Sequence, residues 1–410
     1  MSCIILVKLM FHRRSKKTLF CLIIFIVLFS YVVFAIVRPT NPILPEYNQS
    51  DLMPAKTVSK IVWPSKGESA VGVLGTNILE STNPQTPLPT ASTAKLLTSL
   101  MVLRAKPLNL GEQGPLITIT PSDVAIYNSY VAEQGSVVQV TAGEQISEYQ
   151  MLQTMLLPSA NNMADSLAIW AYGSLSNYTQ AANSFLVSQG LTGTHIGTDA
   201  SGFLPTTTST PIDLVKIAEF VMKQPVLTEI VGQSTASGIP IVGNIKNVNY
   251  LLGQDNIIGV KTGNTDQAGG VYVSAALDKV GASTYTIITA NMGAPNLADS
   301  VSGSLPLIKS AQANIYPYSL LLSNQTVAKY YIPWDKQNIN VVSNQSLTPV
   351  IWGGSLISIN PKLRNISYPA SKLVGNLTSE SNNSLNKDEV AAVLAGNIQK
   401  PSIIWKLLHP

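Results

Sequence analysis

Cysteine is nearly missing from this 410-residue chain. The two present, Cys3 and Cys21, both lie before residue 38, and the body after them has none. A disulfide framework, a cysteine zinc site and a thiol nucleophile in that body are thereby excluded. Histidine is almost as rare, with only His12, His195 and His409. A multi-histidine metal site cannot be assembled from these, and a Ser-His-Asp triad would have to use His195, whose plainer reading is a loop or surface residue. No metal and no organic cofactor is expected. Charge is scarce too, at 12% of residues, about half the usual share. Residues 1–37 hold Lys8, Arg13, Arg14, Lys16 and Lys17 and no acid, which turns the +4 of the whole chain into −1 for 38–410. A near-neutral body without basic runs argues against a nucleic-acid partner. Hydrophobic residues, at 45%, suffice for a sizeable core, and the length predicts two or three domains.

One long apolar run is present. Thr18 to Val37 (TLFCLIIFIVLFSYVVFAIV) is free of charge, and as a helix it spans about 30 Å, the thickness of a bilayer's hydrocarbon core. The basic flank FHRRSKK precedes it and only Arg38 follows. The positive-inside bias then places residues 1–17 in the cytoplasm and the body outside. Val33-Phe34-Ala35 offers a tolerable signal-peptide cleavage site. The run is too long for an ordinary signal peptide, however, so an uncleaved anchor over 18–37 is expected.

Residues 38–57, rich in Pro, Asn and Ser, read as a linker. From 58 to 320 strand and helix patterns mix. Leu96, Leu97, Leu100 and Leu103 follow helical spacing, as do Met163, Leu167 and Trp170. Gly270–Ala275 and Tyr285–Ala290, separated by the turn-like Asp278–Ala282, predict an antiparallel hairpin. From 321 to 410 short alternating segments broken by Asn, Ser, Gly and Pro predict a smaller β-rich domain.

Three short motifs carry chemistry. Ser92-Thr93-Ala94-Lys95 opens an apolar helix, and a spacing of i, i+3 puts Ser92 and Lys95 on one helical face. A serine hydroxyl needs a base, and a lysine serves if burial or a nearby cation lowers its pKa. The bland alternative is a capping serine followed by a surface lysine. Ser159-Ala160-Asn161 follows Pro158, which ends a helix-like run, so it falls between two helices. Its hydroxyl suits proton relay and its amide suits substrate binding; the bland alternative is a helix cap. Lys261-Thr262-Gly263 ends the apolar strand Ile257–Val260. An ammonium, a hydroxyl and a glycine on a strand edge suit capture of a carboxylate and pairing with an extended peptide, against a strand simply running into a turn. Ser92 and Ser159 are 67 residues apart, and Ser159 and Lys261 are 102 apart. Each motif sits on the element its chemistry needs.

In this order, the motifs resemble the signature of penicillin-binding proteins and β-lactamases. PTASTAKLLTSL, GEQISEYQMLQTMLLPSANNMADSLA, DASGFLPTTTSTPIDLVKIA and GVKTGNTDQAGGVYVSAAL are similar to the low-molecular-weight D-alanyl-D-alanine carboxypeptidases across most of 58–300. The resemblance implies an α+β, β-lactamase/transpeptidase-like domain, with an antiparallel sheet flanked by helices and an all-helical lobe. A small β-rich domain would follow it. It implies Ser92 as nucleophile, Lys95 as base, Ser159 as proton relay and Asn161 as a substrate or lysine ligand. Lys261 would help keep Lys95 neutral. Backbone N–H groups of Ser92 and Asn264 would form an oxyanion hole, and Thr262 and Thr265 beside Gly263 would hold a terminal carboxylate. The substrate would be a peptidoglycan stem peptide ending in D-Ala-D-Ala, with β-lactam antibiotics as acylating mimics. Two departures stand out. Asn162 replaces a frequent aspartate, and the tail QKPSIIWKLLHP is short for the family's C-terminal membrane segment. A class A-like β-lactamase is disfavoured, because no acid between Asn161 and Lys261 has an asparagine four residues later. The non-enzymatic alternative is a degenerate wall-binding module.

Overall fold

The computed structural model describes the backbone of residues 2–48, 53–383, 385–386 and 388–409, and side chains from Lys17 onward. Helix α1 covers Ser2–Val37. Its segment Lys17–Val37, with mean hydropathy 3.1, is long and apolar enough to cross a membrane.

The chain divides into two compact units. The larger comprises Val58–Tyr316 and Val350–Ser355. Its five-stranded sheet is built from β1 (Glu68–Val73), β2 (Leu79–Ser81), β3 (Ile257–Thr265), β4 (Gly269–Val280) and β5 (Ser283–Ala294), in the antiparallel order β3-β4-β5-β1-β2. The hairpin expected around Asp278–Ala282 is β4–β5, and β3 is left at one edge with its outer ladder unpaired by strands of this sheet. Between β2 and β3 lie α2 (Ala94–Ala105), α3 (Pro121–Ala132), α4 (Glu148–Leu156), α5 (Asn161–Tyr172), α6 (Leu175–Ser188), α7 (Pro211–Met222) and α8 (Pro225–Val231), while α9 (Leu297–Ala313) follows β5.

Local chemistry sets several of these boundaries. Thr120 with Asp123, and Ser147 with Gln150, form capping boxes that satisfy free backbone donors at the starts of α3 and α4. Thr210 caps α7, where Pro211 stands at the first helical position and lacks a donor to lose. Helix α2 is buried along its whole length from Ala94 to Leu103, so it lacks the polar stripe of a surface helix and forms the unit's central rod. Leu96, Leu97 and Leu100 pack there with Met151, Leu152 and Met155 of α4, Leu167 of α5 and Val215 of α7.

The smaller unit comprises the segments up to Thr57, Pro317–Pro349 and from Leu356 on. Strands β6 (Thr326–Ile332), β7 (Gln337–Ser343), β8 (Leu356–Leu363), β9 (Leu373–Ser381) and β10 (Glu389–Leu394) form the order β6-β7-β10-β9-β8. The stretch read as a linker contributes to this sheet: Glu46–Tyr47 pairs along β6 and Ala55–Lys56 along β8, making it seven-stranded. Each piece is two residues long, too short for alternation to show in the sequence. The tail forms a short helix, α10 (Ile403–Leu408), and Lys406 Nζ donates to the carbonyls of Ile36 at 2.7 Å and Arg38 at 2.9 Å, where the last turn of α1 leaves acceptors free.

Candidate active site

Ser92 lies in a single 3₁₀ turn, Ala91–Thr93, that runs directly into α2. Ala91 adopts φ +46°, a left-handed backbone conformation costly for a residue with a Cβ, and such strain persists only where the surroundings impose it. Two glycines are among those surroundings. A Cβ on Gly202 would come within 2.1 Å of the Ala91 carbonyl oxygen, and one on Gly263 within 3.1 Å of Ser92 N. The sequence reading gave Gly263 to the approach of substrate; the structure adds a nearer constraint, the approach of β3 to the turn that carries Ser92. Gly263→Ala should therefore slow acylation by penicillin at least several-fold with a smaller effect on melting temperature, because the methyl group pushes β3 off that turn. Stopped-flow acylation and a thermal melt on the same sample measure both; an unchanged acylation rate would refute this reading of Gly263.

Lys95 stands one turn further on and is fully buried. Its Nζ lies 2.8 Å from Ser92 Oγ, 2.7 Å from Asn161 Oδ1 and 3.0 Å from the Ser201 carbonyl oxygen. All three ammonium hydrogens thus have acceptors. Burial pushes the Lys95 pKa well below that of a free lysine; the neighbouring positive charge of Lys261 pushes the same way, while Asp199 and Asp165 oppose it. Ser92 Oγ and Lys95 Nζ are within proton-transfer distance.

The second motif sits where expected, on the connection between α4 and α5. Ser159 is 6% exposed, adopts φ +67°, and its Oγ has no hydrogen-bond partner among the described residues. Asn161 begins α5 and turns its amide oxygen to Lys95, accepting from its Nζ. Asn162 accepts from Val138 N at 3.1 Å and donates to Val138 O at 2.9 Å. An aspartate there would lose the donor half of that pair, which gives a physical reason for asparagine at this position.

On β3, Lys261 is 1% exposed, donates to the carbonyl of Thr262 at 3.0 Å, and is pushed down to about 7 by burial. Side chains alternate along a strand, so Lys261, Gly263 and Thr265 share the face turned to Ser92, whereas Thr262 and Asn264 lie on the other. Asn264 accepts there from Leu297 N at 3.2 Å, and the Thr265 hydroxyl accepts from Ala268 N at 3.1 Å in the β3–β4 turn. His195 is exposed, and its backbone bridges to Thr208. The structure therefore joins Ser92, Lys95 and Asn161 by direct hydrogen bonds. It brings Gly263 against Ser92 and sets the charge of Lys261 within reach of Lys95.

Sequence reasoning assigned no role to Ser201, Asp199, Asp165 or Tyr130, which close the site from behind. Ser201 Oγ donates to Asp199 Oδ2 at 2.5 Å and lies 3.2 Å from Tyr130 OH, while Tyr130 OH donates to Asp165 Oδ2 at 2.7 Å. The segment DASGF is similar to the family in sequence; only the fold shows that its serine carbonyl accepts from Lys95 Nζ.

Comparison with known proteins agrees with this geometry. A model of the D-alanyl-D-alanine carboxypeptidase family, peptidase S11, matches residues 67–296, more than half of the chain. A D-alanyl-D-alanine carboxypeptidase of Streptomyces sp. (strain K15) is 31% identical over 204 residues, 46% of this chain and 67% of the relative. A D-alanyl-D-alanine endopeptidase of Escherichia coli (strain K12) is 29% identical over 215 residues, 50% of this chain and 65% of the relative. The crystal structure of penicillin binding protein 5 from Haemophilus influenzae superposes with a TM-score of 0.57 at 18% identity, covering 82% of this chain and 98% of that one, a likeness of fold. On the motif order, the Ser92–Lys95–Asn161 geometry and these matches, the chain belongs to the D-alanyl-D-alanine carboxypeptidase family of serine peptidases.

Proposed function

We propose that this protein removes the terminal D-alanine from peptidoglycan stem peptides through an acyl-enzyme on Ser92. The observation that carries this reading is the 2.8 Å contact between Ser92 Oγ and the buried Nζ of Lys95. Buried and beside a second lysine, Lys95 loses its proton more readily than a free lysine, and its neutral form accepts the Ser92 proton as Oγ attacks the penultimate D-Ala carbonyl. The peptide lies along the open edge of β3, its terminal carboxylate near Lys261 and the hydroxyl of Thr265, which share the face turned to Ser92; Thr262, expected to hold that carboxylate, lies on the other face. Backbone N–H groups of Ser92 and Asn264 stabilise the tetrahedral oxyanion, a contribution worth about 3–4 kcal/mol per donor. Ser159, with an uncommitted hydroxyl, passes the proton to the departing D-alanine nitrogen. Water then resolves the ester and restores Ser92. A β-lactam enters the same sequence but leaves no second product, so its acyl-enzyme persists. Helix α1, with the basic flank before it, anchors the protein in the bacterial cell membrane as a single span with the catalytic unit outside.

Intact-protein mass spectrometry after incubation with benzylpenicillin, and with a pentapeptide ending in D-Ala-D-Ala, tests the reading. The expected results are one penicilloyl adduct mapped to Ser92 and release of one D-alanine per peptide. No adduct and no D-alanine would return the chain to a wall-binding role, and rapid turnover of penicillin would mark a β-lactamase.

A further inference from the structure

Behind the base, two carboxylates are buried where the reaction sequence above gives them nothing to do. Asp165 of α5 is 5% exposed and Asp199, on the segment before α7, is 4% exposed. A hydroxyl donates to each, and the two hydroxyl oxygens are neighbours. Tyr130 OH, from α3, donates to Asp165 Oδ2 at 2.7 Å and stands 3.2 Å from Ser201 Oγ, which in turn donates to Asp199 Oδ2 at 2.5 Å. Backbone donors add Ala200 N to Asp165 Oδ1 at 2.8 Å and Phe203 N to Asp199 Oδ2 at 2.9 Å, while Asp199 Oδ1 is buried with no hydrogen-bond partner among the described residues. The cluster reaches the base itself, because Ser201, whose hydroxyl donates to Asp199, accepts from Lys95 Nζ with its carbonyl.

Two buried anions require compensation. The charged and titratable groups that act on them are Lys95 from α2, Tyr130 from α3 and Tyr178 from α6, and Lys261 from β3 acts on Lys95. Lys261 opposes protonation of Lys95, and the two acids favour it. When Lys95 takes the Ser92 proton, an ammonium forms in a site closed to solvent, and the charge that answers it has to be built into the protein.

We propose that Asp165 and Asp199, held by the hydroxyls of Tyr130 and Ser201 respectively, are positioning residues that supply the buried counter-charge for the Lys95 ammonium formed as Ser92 is deprotonated. The proposal rests on Lys95 being the base. The balance is one proton: it leaves Ser92 Oγ, resides on Lys95 Nζ opposite the acid pair, and goes on to the leaving nitrogen. Neither acid takes up or gives away the proton in transit. Burial raises the pKa of Asp165 to about 6, so it is mostly ionised at neutral pH.

Acylation by benzylpenicillin, followed across the pH range, provides the test. Its acid limb reports the loss of neutral Lys95. Asp165→Asn keeps the shape and the acceptor for Ala200 N but removes the charge, so Lys95 becomes harder to protonate. The acid limb should move down by about one pH unit, the scale of one buried charge acting across a site of this size. The plateau rate should fall several-fold, because the base is weaker. Asp199→Asn should do the same. Tyr130→Phe, which removes a donor that helps Asp165 stay ionised, should move the limb in the same direction by less, and serves where an asparagine variant fails to fold. A purely structural role would lower the melting temperature and leave the limb in place. An unmoved limb in every folded variant overturns the proposal. Lys95→Ala acylating at a near-normal rate would instead overturn the assignment of the base, a separate result.

Discussion

Ser92→Ala should abolish covalent labelling by a fluorescent penicillin. The expected loss is about 10⁶-fold in turnover, the order found when a serine nucleophile is removed from an acyl-transfer enzyme. The fold should survive the change. Ser92 is half-buried, and its hydroxyl accepts one hydrogen bond, from Lys95. Without it Lys95 still has Asn161 Oδ1 and the Ser201 carbonyl. The turn itself is held by Thr93 Oγ1 donating to Thr90 O at 2.7 Å and Thr90 N donating to Thr207 O at 3.1 Å, neither of which involves the Ser92 side chain. Stability should therefore change by no more than about 1 kcal/mol. Non-covalent binding should persist as a saturable thermal shift with penicillin. The informative contrast is Ser159, the other site serine, whose buried hydroxyl is uncommitted. Peptide mapping that finds the variant labelled on Ser159 would move the nucleophile to the second motif and overturn the roles assigned here.

Much of this arrangement was legible in the sequence because it is local. The i, i+3 spacing of Ser92 and Lys95 is a property of one helical turn, and Pro158 marks the break between α4 and α5 without any tertiary information. The β4–β5 hairpin follows from two apolar runs and a turn. What stayed hidden depends on contacts across long separations. The partners of Tyr130 are 35 and 71 residues away, at Asp165 and Ser201. Nothing in the pattern around Asp165, one polar residue in a helix, distinguishes a solvated face from a buried charge. The left-handed conformation of Ala91 is equally invisible, since alanine gives no turn signal and the constraint comes from Gly202 and Gly263. Helix α9 carries Pro306 inside it together with several serines and a glycine, a composition that reads as loop until its burial against the sheet is seen.

Lys95→Ala should lower the rate of acylation by about 10³-fold, within the range for loss of a positioned general base. Substrate affinity should change far less, because the groups proposed to hold the peptide lie on β3. The variant leaves a polar cavity beside Asn161 Oδ1 and the Ser201 carbonyl, so a stability loss of about 1–3 kcal/mol is expected as well. A slow rate alone does not separate a lost base from a disordered site. Lys95→Arg makes the distinction: it keeps a cation and its donors, but a guanidinium does not deprotonate in the working range. If Lys95 acts as a base, arginine is nearly as slow as alanine even where the fold is retained. If the lysine only positions Ser92 or attracts an anion, arginine restores much of the rate. The pH profile adds a second criterion with a fixed sign. Neutral Lys95 is the active form, so wild-type acylation should decline as pH falls through the depressed pKa of Lys95, and this acid limb should vanish in the alanine variant. The same limb persisting in Lys95→Ala would assign that titration, and with it the base, to another group.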